Sequence, residues 1–213
     1  MTSARVEDRA GGRIHRRIAH LMGMPISLAL RGRHASSVAG DKAWQAVINE
    51  LRQVDVIFSG YRSDSIINRL DRGELTIAEC PAEVAEVIEL GTRGRTVSDG
   101  AFSIRLPTSD GRRRLDPSGV VKGWAAQRAS QLLAGLDDTD FCLSAGGDIV
   151  CHTADADRAA WRVGIEHPLD PTTLIAVVPL RSGAWRPLAR HTVAVISSTL
   201  VQVDNRAASP PSP

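Results

Sequence analysis

The chain has 213 residues, 43% of them hydrophobic, and a formal net charge of +2 at pH 7. This length is enough to bury roughly 70% of the unfolded surface in one domain without disulfides or a structural metal. The near-balanced charge, with arginines scattered along the chain, argues against a nucleic-acid partner, and no stretch approaches the roughly 18 consecutive apolar residues of a membrane span.

The N-terminus, residues 1–19, is polar and rich in arginine. We expect these residues to form a poorly ordered arm. They contain neither the apolar core of a signal peptide nor a lipobox-like cysteine, so a cytoplasmic location without membrane insertion is expected.

The first half of the chain has mainly helical patterns. Apolar alternation predicts a strand over Met24–Gly32, and apolar residues spaced by three and four predict an amphipathic helix over about 37–56. A glycine-containing turn then leads to a short helix ending near Leu70, with Ser63 or Asp64 as its N-cap.

Strand patterns follow in the second half. A third helix is expected between Pro81 and Gly91, and a loop, strand, turn and fourth helix over 98–136. Strands are then predicted over 141–152, 161–167 and 174–183. Helices followed by strands indicate an α+β fold with a mixed or antiparallel sheet and packed helices.

The cysteines and histidines carry little functional signal. Cys80, Cys142 and Cys151 are odd in number and lack CxxC or metal-ligand spacing, so we expect small buried hydrophobic residues. The six histidines share no spacing typical of a metal site.

The stretch LDPSGVVKGWAAQRA, residues 115–129, is the most informative in the chain. Asp116, Pro117 and Ser118 are expected to start the fourth helix. The inner face of this helix is predicted to consist of Val121, Ala125, Ala129, Leu132 and Leu133.

This helix start has two interpretations. Free backbone N–H groups at residues 119–121 would bind an anion, and Lys122, one turn in, could reach a phosphate oxygen. Alternatively, Asp116 and Ser118 only cap the helix and Lys122 is solvated. The stretch matches neither a Walker A motif nor a GxGxxG fingerprint, so motif rules leave both open.

Three further stretches are candidates. In SAGGDI, Gly146 and Gly147 either let the backbone approach a ligand or turn a hairpin, and the hairpin is favoured. In SDGAFSI, Phe102 is more often a core residue than a stacking partner. Tyr61, the only tyrosine, lies in FSGYRSDS on a glycine-flanked loop, which is a mild indication of binding.

These stretches together resemble one family. LMGMPISL, FSGYRSDSIINRL, SDGAFSI, LDPSGVVKGWAAQRA, CLSAGGDIV and WRVGIEHP, in this order, resemble the ApbE family of FAD:protein FMN transferases. The resemblance implies the α+β flavin-transferase fold and a domain over residues 20–184, of which the C-terminal part is missing or altered.

The resemblance also implies a reaction. FAD is the substrate and carries Mg²⁺ on its diphosphate. A Thr or Ser hydroxyl of an acceptor protein attacks the FMN phosphorus, and AMP leaves. The alternative is a catalytically inactive remnant that still binds FAD or another nucleotide.

Several site residues follow from the resemblance. Met22 and Tyr61 would line the flavin or adenine pocket. Ala101, Phe102 and Ser103 would form another wall, although the family usually has Asp where this chain has Ser103.

The helix start supplies the remaining expected contacts. Asp116 and Lys122 would contact FAD, and the Gly119 carbonyl would donate one oxygen to Mg²⁺. The resemblance names no general base in this chain.

Residues 185–213 depart from the family pattern, which continues with VATSG and HIIDPxTG. Back-translated and read one base earlier from the Ala184 codon, the tail can encode VATSGTAHRGSHIIDPSTGR. We therefore expect a frameshift at Ala184, which would leave this chain unstable or poorly active because further metal ligands are lost. The alternative is a divergent end with a strand over Thr192–Val203.

Overall fold

A computed structural model describes residues 5–8, 12–167, 169–185 and 193–196. The helices are α1 (Val38–Phe58), α2 (Ile66–Asp71), α3 (Ala82–Val97) and α4 (Ser118–Gln131), with a short 3₁₀ helix at Ile77–Glu79. The strands are β1 (Arg5–Asp8), β2 (Gly12–Leu21), β3 (Met24–Gly32), β4 (Arg105–Pro107), β5 (Arg113–Leu115), β6 (Thr139–Ala145), β7 (Asp148–His152), β8 (Trp161–His167), β9 (Asp170–Leu180), β10 (Gly183–Trp185) and β11 (Val193–Ile196).

A six-stranded sheet forms the centre of the fold. Its order is β1-β2-β3-β6-β7-β10, and every neighbouring pair is antiparallel. Successive side chains of a strand point to opposite faces, so β3 contributes Ile26, Leu28 and Leu30 to one core and Ala29 to another. The α+β fold with an antiparallel sheet is thus confirmed.

The helices cover one face of this sheet. The spacing of three and four in α1 buries Trp44, Val47, Ile48, Leu51 and Val54, as predicted, and Ser37 caps the helix by accepting from the Gly40 N–H. The inner residues of α4 and the adjacent Leu133 pack in the same core, whereas Leu132, just beyond the helix end at Gln131, is 42% exposed.

A second, three-stranded sheet of order β11-β8-β9 covers the other face. Trp161 and Val163 of β8 pack there against Ile14, Ala29 and the β6–β7 hairpin. The expected strand over 161–167 is confirmed, whereas the strand expected over 174–183 both begins earlier, at Asp170, and ends earlier, at Leu180.

A buried ion pair between β3 and β6 of the central sheet lies against β8. The Arg31 guanidinium donates to Asp140 at 2.7 Å and lies 4.4 Å from the centre of the Trp161 ring. Asp140, 0% exposed, also accepts from the Ala154 N–H and from Arg158. These donors compensate the cost of burying the carboxylate.

The expectation of a poorly ordered arm over residues 1–19 is wrong for residues 12–19. They lie in β2, which pairs with β3 from His15 to Leu21 and buries Ile14. The sequence of this strand is polar because it contains several arginines, and these find partners elsewhere in the fold: Arg17 donates to the Ala35 carbonyl and to Asp41. Residues 12–19 therefore belong to the central sheet.

Two smaller predictions need correction or completion. The N-cap of α2 is Ser65, which accepts from the Asn68 N–H, and not Ser63 or Asp64. In the tail, β11 lies within the strand that the divergent-end alternative predicts over Thr192–Val203, and it pairs with β8. Residues 186–192 and 197–213, which hold the rest of the tail, lie outside the described part of the chain.

Within the described residues, none of the helices has the length and apolar character needed to cross a lipid bilayer.

Candidate functional site

The start of α4 and the β6–β7 turn are in direct contact. The Lys122 ammonium, one turn into α4, donates to the Gly146 carbonyl at 3.1 Å. Lys122 is partly buried and is therefore not the solvated side chain of the second interpretation. The contact brings together the segments DPSGVVKG and AGGD, since Lys122 and Gly146 are 24 residues apart in the sequence.

The first turn of α4 satisfies its own backbone. The N–H groups of Val120 and Val121 both donate to the Pro117 carbonyl, and the Asp116 carboxylate accepts from the Ser118 N–H. The expectation of free N–H groups over 119–121 is therefore wrong at Val120 and Val121. The Val120 bond is a tight 3₁₀-type bond to the residue three positions back, which a regular helix start would leave unmade, whereas the Val121 bond is the ordinary helical bond to the residue four positions back.

The β6–β7 turn is the predicted two-residue hairpin. Gly146 and Gly147 have φ of 56° and 96°, as a turn of this type requires. The Gly146 N–H donates to the Pro25 carbonyl, and a Cβ atom on Gly146 would lie 2.5 Å from Met24 Sδ. A larger residue would require the Met24 side chain to move, so this hairpin is also a close approach of backbone to its surroundings.

Met22 lies at the turn that joins β2 to β3, next to the β6–β7 turn. Its φ is 55° and that of Gly23 is 69°, which places both residues in the left-handed region. The Met22 side chain packs, partly buried, against the helix-side core. The strained backbone holds this side chain at the sheet end where Met24 meets Gly146.

Phe102 occupies a slot between α3 and α4. Its ring carbons lie 2.9 Å from the positions that Cβ atoms would take on Gly94 and on Gly119. Ala101 is exposed, whereas Ser103 is partly buried and its hydroxyl bonds to the backbone of Arg105. The structure thus makes Phe102 a packing residue whose ring borders the first turn of α4.

Tyr61 is fully exposed on the loop between α1 and α2. Asn68 holds this loop by donating to the carbonyls of Ser59, Gly60 and Arg62. The Arg114 guanidinium lies next to Gly60 and 3.7 Å from the Asp116 carboxylate. The Tyr61 loop is thereby linked to the start of α4 through one arginine.

Sequence reasoning missed several residues that build this site. Asp71 accepts from the Leu115 N–H at 2.8 Å, and the Asp116 N–H donates to the Ile104 carbonyl at 2.7 Å. Asp148 is buried next to Gly123 of α4. The AGGD motif could have suggested Asp148, but nothing in the sequence pairs Asp71 with residue 115.

The donor set for Mg²⁺ is incomplete within the described residues. In that part of the chain, no three side chains of His, Cys, Asp or Glu are placed so that they could bind one metal ion. Mg²⁺ requires near-octahedral oxygen coordination, and the Gly119 carbonyl would provide only one of these oxygens. The described residues alone therefore do not fit a complete Mg²⁺ site.

Comparisons with known proteins identify the family. The ApbE family matches residues 22–109 and 105–186, and no curated protein matches the chain. The ApbE protein of Thermotoga maritima has a TM-score of 0.66 at 16% identity, over 80% of this chain and 69% of its own.

Two further solved structures are similar. The flavinyl transferase ApbE of Pseudomonas stutzeri has a TM-score of 0.63 at 19% identity, over 82% of this chain and 68% of its own. The flavin transferase ApbE of Vibrio cholerae has a TM-score of 0.64 at 16% identity, over 86% of this chain and 71% of its own. Because the family match spans more than half of the chain, the chain belongs to the ApbE family and has the flavin-transferase fold of its solved members.

Proposed function

We propose that this chain is an FAD:protein FMN transferase, which moves FMN from FAD to a Thr or Ser hydroxyl of an acceptor protein and releases AMP. The observation that carries the proposal is the contact between Lys122 and Gly146, which joins the two family segments at one site. We place the FAD diphosphate at this contact.

Lys122 is proposed to bind the diphosphate. An ammonium group has three N–H donors. In Lys122 one of them forms the hydrogen bond to the Gly146 carbonyl, and this bond fixes the direction of the other two N–H groups. A cation placed in advance against the diphosphate stabilises the negative charge that grows on the departing AMP. This role makes no demand on free N–H groups of α4.

The walls of the pocket are proposed to be Met22, Tyr61, Ala101, Phe102 and Ser103. Met22 and Phe102 are partly buried apolar side chains, the first next to the β6–β7 turn and the second at the first turn of α4. Tyr61 is an exposed ring that could stack on a flavin or an adenine. The Asp116 carboxylate, already oriented by the Ser118 N–H, would accept from a hydroxyl or amino group of FAD.

The test of this function is flavin transfer by the full chain. The chain is incubated with FAD, with or without Mg²⁺, together with proteins extracted from its source organism. We expect AMP in the filtrate and flavin fluorescence that stays on a protein band after denaturing electrophoresis. Omission of the chain should abolish both signals, and the reactions with and without Mg²⁺ show whether transfer depends on the metal.

The two failures of this test have different meanings. If FAD raises the melting temperature of the chain but no AMP appears, the chain is the inactive FAD-binding remnant. A ligand at 100 times its Kd raises stability by about 2.7 kcal/mol, which is easily measured. If neither signal appears, FAD is not the substrate and the proposal fails.

We also propose that the reading frame changes at Ala184. The family match ends at residue 186, and the next family segments can be read one base earlier in the tail. Sequencing of genomic DNA across the Ala184 codon tests this proposal. An additional base would restore VATSG and HIIDP, and an unchanged reading would leave residues 185–213 as a divergent end.

A further inference from the structure

Two of the three cysteines lie opposite each other in the central sheet. Cys142 of β6 and Cys151 of β7 are direct partners in the strand register. Their Sγ atoms are 3.0 Å apart, and the side chains are 1% and 2% exposed. The pair belongs to the core between the two sheets and takes no part in the proposed FAD site.

The register shows that this pair suits a disulfide. The two-residue turn Gly146–Gly147 is closed by Ala145 and Asp148, which form a hydrogen-bonded pair in a hairpin of this kind. Pairs alternate along an antiparallel ladder, so Cys142 and Cys151, three positions further, form a non-hydrogen-bonded pair. Such pairs have Cα atoms about 4.5 Å apart, which lies within the range that disulfides span.

We propose that Cys142 and Cys151 are a redox modification site that forms an intrachain disulfide across the β6–β7 hairpin. The oxidant is a low-molecular-weight disulfide. One cysteine thiolate attacks it and expels one thiol, and the second cysteine thiolate then attacks the mixed disulfide and expels the other thiol. Two protein thiols are oxidised and the small disulfide is reduced to two thiols.

Burial makes the exchange slow rather than impossible. It raises the pKa of the Cys142 thiol well above its ordinary value, with the neighbouring Cys151 adding to the effect, so the reactive thiolate is scarce in the closed sheet. Reaction therefore requires local opening of the hairpin region, which proteins undergo at equilibrium. Cys80 is only partly buried and is distant in sequence from Cys142 and Cys151, so it provides an internal reference for the reactivity of a cysteine outside the pair.

The disulfide would fasten the hairpin whose turn accepts from Lys122. The bond lies four positions before Gly146 on one strand and four after Gly147 on the other, and it closes a short loop. A cross-link of this kind lowers the entropy of the unfolded chain. We expect the oxidised chain to melt at a higher temperature than the reduced chain.

Peptide mapping tests the linkage directly. The full chain is incubated to equilibrium with oxidised and reduced glutathione, alkylated while denatured, and digested with trypsin. Cleavage after Arg128 and Arg158 places both Cys142 and Cys151 in one peptide, 129–158, whereas Cys80 lies in peptide 73–93. We expect peptide 129–158 without alkyl groups and lighter by two hydrogen atoms, and peptide 73–93 alkylated or carrying glutathione.

Other results of this experiment overturn the proposal. They are a doubly alkylated peptide 129–158, separate glutathione adducts on Cys142 and Cys151, or a link between either residue and Cys80. Melting of the Cys80→Ala variant is expected to depend on redox state as in the original chain. In Cys142→Ala this dependence should be lost, and its persistence there would also contradict the proposal.

Discussion

The ammonium of Lys122 fastens α4 to the β6–β7 turn through the Gly146 carbonyl. Lys122→Met keeps the length of the apolar stem and removes the charge and the donor. If the FAD diphosphate binds here, the Kd for FAD should rise about tenfold or more, which corresponds to about 1.4 kcal/mol. The lost hydrogen bond should cost only about 1 kcal/mol of stability.

Lys42 is the matched control for this substitution, because it is the other lysine of the chain and is exposed on α1. Flavin fluorescence titration of Lys42→Met should give the Kd of the original chain. Equal FAD affinities for the two variants would contradict the placement of the diphosphate at Lys122.

Two glycines of α4 are predicted to respond in opposite directions to alanine. In Gly119→Ala the new Cβ would lie 2.9 Å from a Phe102 ring carbon that Gly94 confines from the other side. Overpacking of this kind costs about 1–3 kcal/mol. In Gly123→Ala the nearest atom is an Asp148 carboxylate oxygen at 3.9 Å, so the gain in helix propensity of up to about 1 kcal/mol should prevail.

Urea unfolding of both variants measures this difference. Gly119→Ala should shift the midpoint to a lower urea concentration, and Gly123→Ala should leave it unchanged or raise it. A Gly119→Ala variant as stable as Gly123→Ala would show that the Phe102 ring is not confined by α4.

At the scale of the elements, Asp140 holds β6 to β3 and to the loop before β8. It accepts from Arg31, Arg158 and the Ala154 N–H while fully buried. Asp140→Asn removes the charge and leaves Arg31 buried without its counterion, which should cost about 3–5 kcal/mol. Glu89→Gln, in the exposed pair between Glu89 and Arg93 of α3, is the control and should cost less than about 0.5 kcal/mol. Thermal unfolding that loses equally little in both variants would contradict the buried pair.

The exposed link between Asp137 and the β3–α1 turn should depend on pH. A hydrogen bond from His34, together with the nearby Arg33, lowers the pKa of Asp137 below its ordinary value. The unfolded chain therefore binds more protons between the two pKa values, so this stabilisation is complete above about pH 4 and is lost as the pH falls through the lower folded pKa.

Asp137→Asn tests this pH dependence by calorimetry. The variant should melt at a lower temperature than the original chain near neutral pH, and the difference should shrink as the pH falls below about 4. A difference that stays constant over this range would rule out the contribution of the ionised carboxylate.

Local patterns predicted the elements better than the contacts between them. The spacing in α1 and the Gly146–Gly147 turn each depend on neighbouring residues, and both were predicted. Strand β2 was missed because its arginines obscure the alternation, and their partners, such as Asp41, lie elsewhere in the chain. The expectation of free N–H groups at Val120 and Val121 was wrong because both donate to the Pro117 carbonyl, Val120 through a tighter 3₁₀-type bond and Val121 through the ordinary helical bond.

At the scale of the whole molecule, the central sheet separates the proposed FAD site from the cysteine pair. One face carries the helices, and the start of α4 meets the β6–β7 turn at the end of these strands. The other face is a core between two sheets and holds the Cys142–Cys151 pair. The family resemblance anticipated the fold but not the Lys122–Gly146 contact, because this contact depends on how α4 packs against the sheet. The Cys142–Cys151 register follows from the predicted Gly146–Gly147 turn, but the sequence alone was taken to indicate only small buried hydrophobic residues there.

The most direct test of the proposed FAD site is hydrogen–deuterium exchange of the full chain, followed by mass spectrometry, with and without FAD. The account predicts that FAD slows exchange in peptides that cover residues 22–25, 116–123 and 145–148, while peptides from β8 and β9 are unchanged. Slower exchange confined to other parts of the chain, or no change at saturating FAD, would contradict an FAD site at the start of α4.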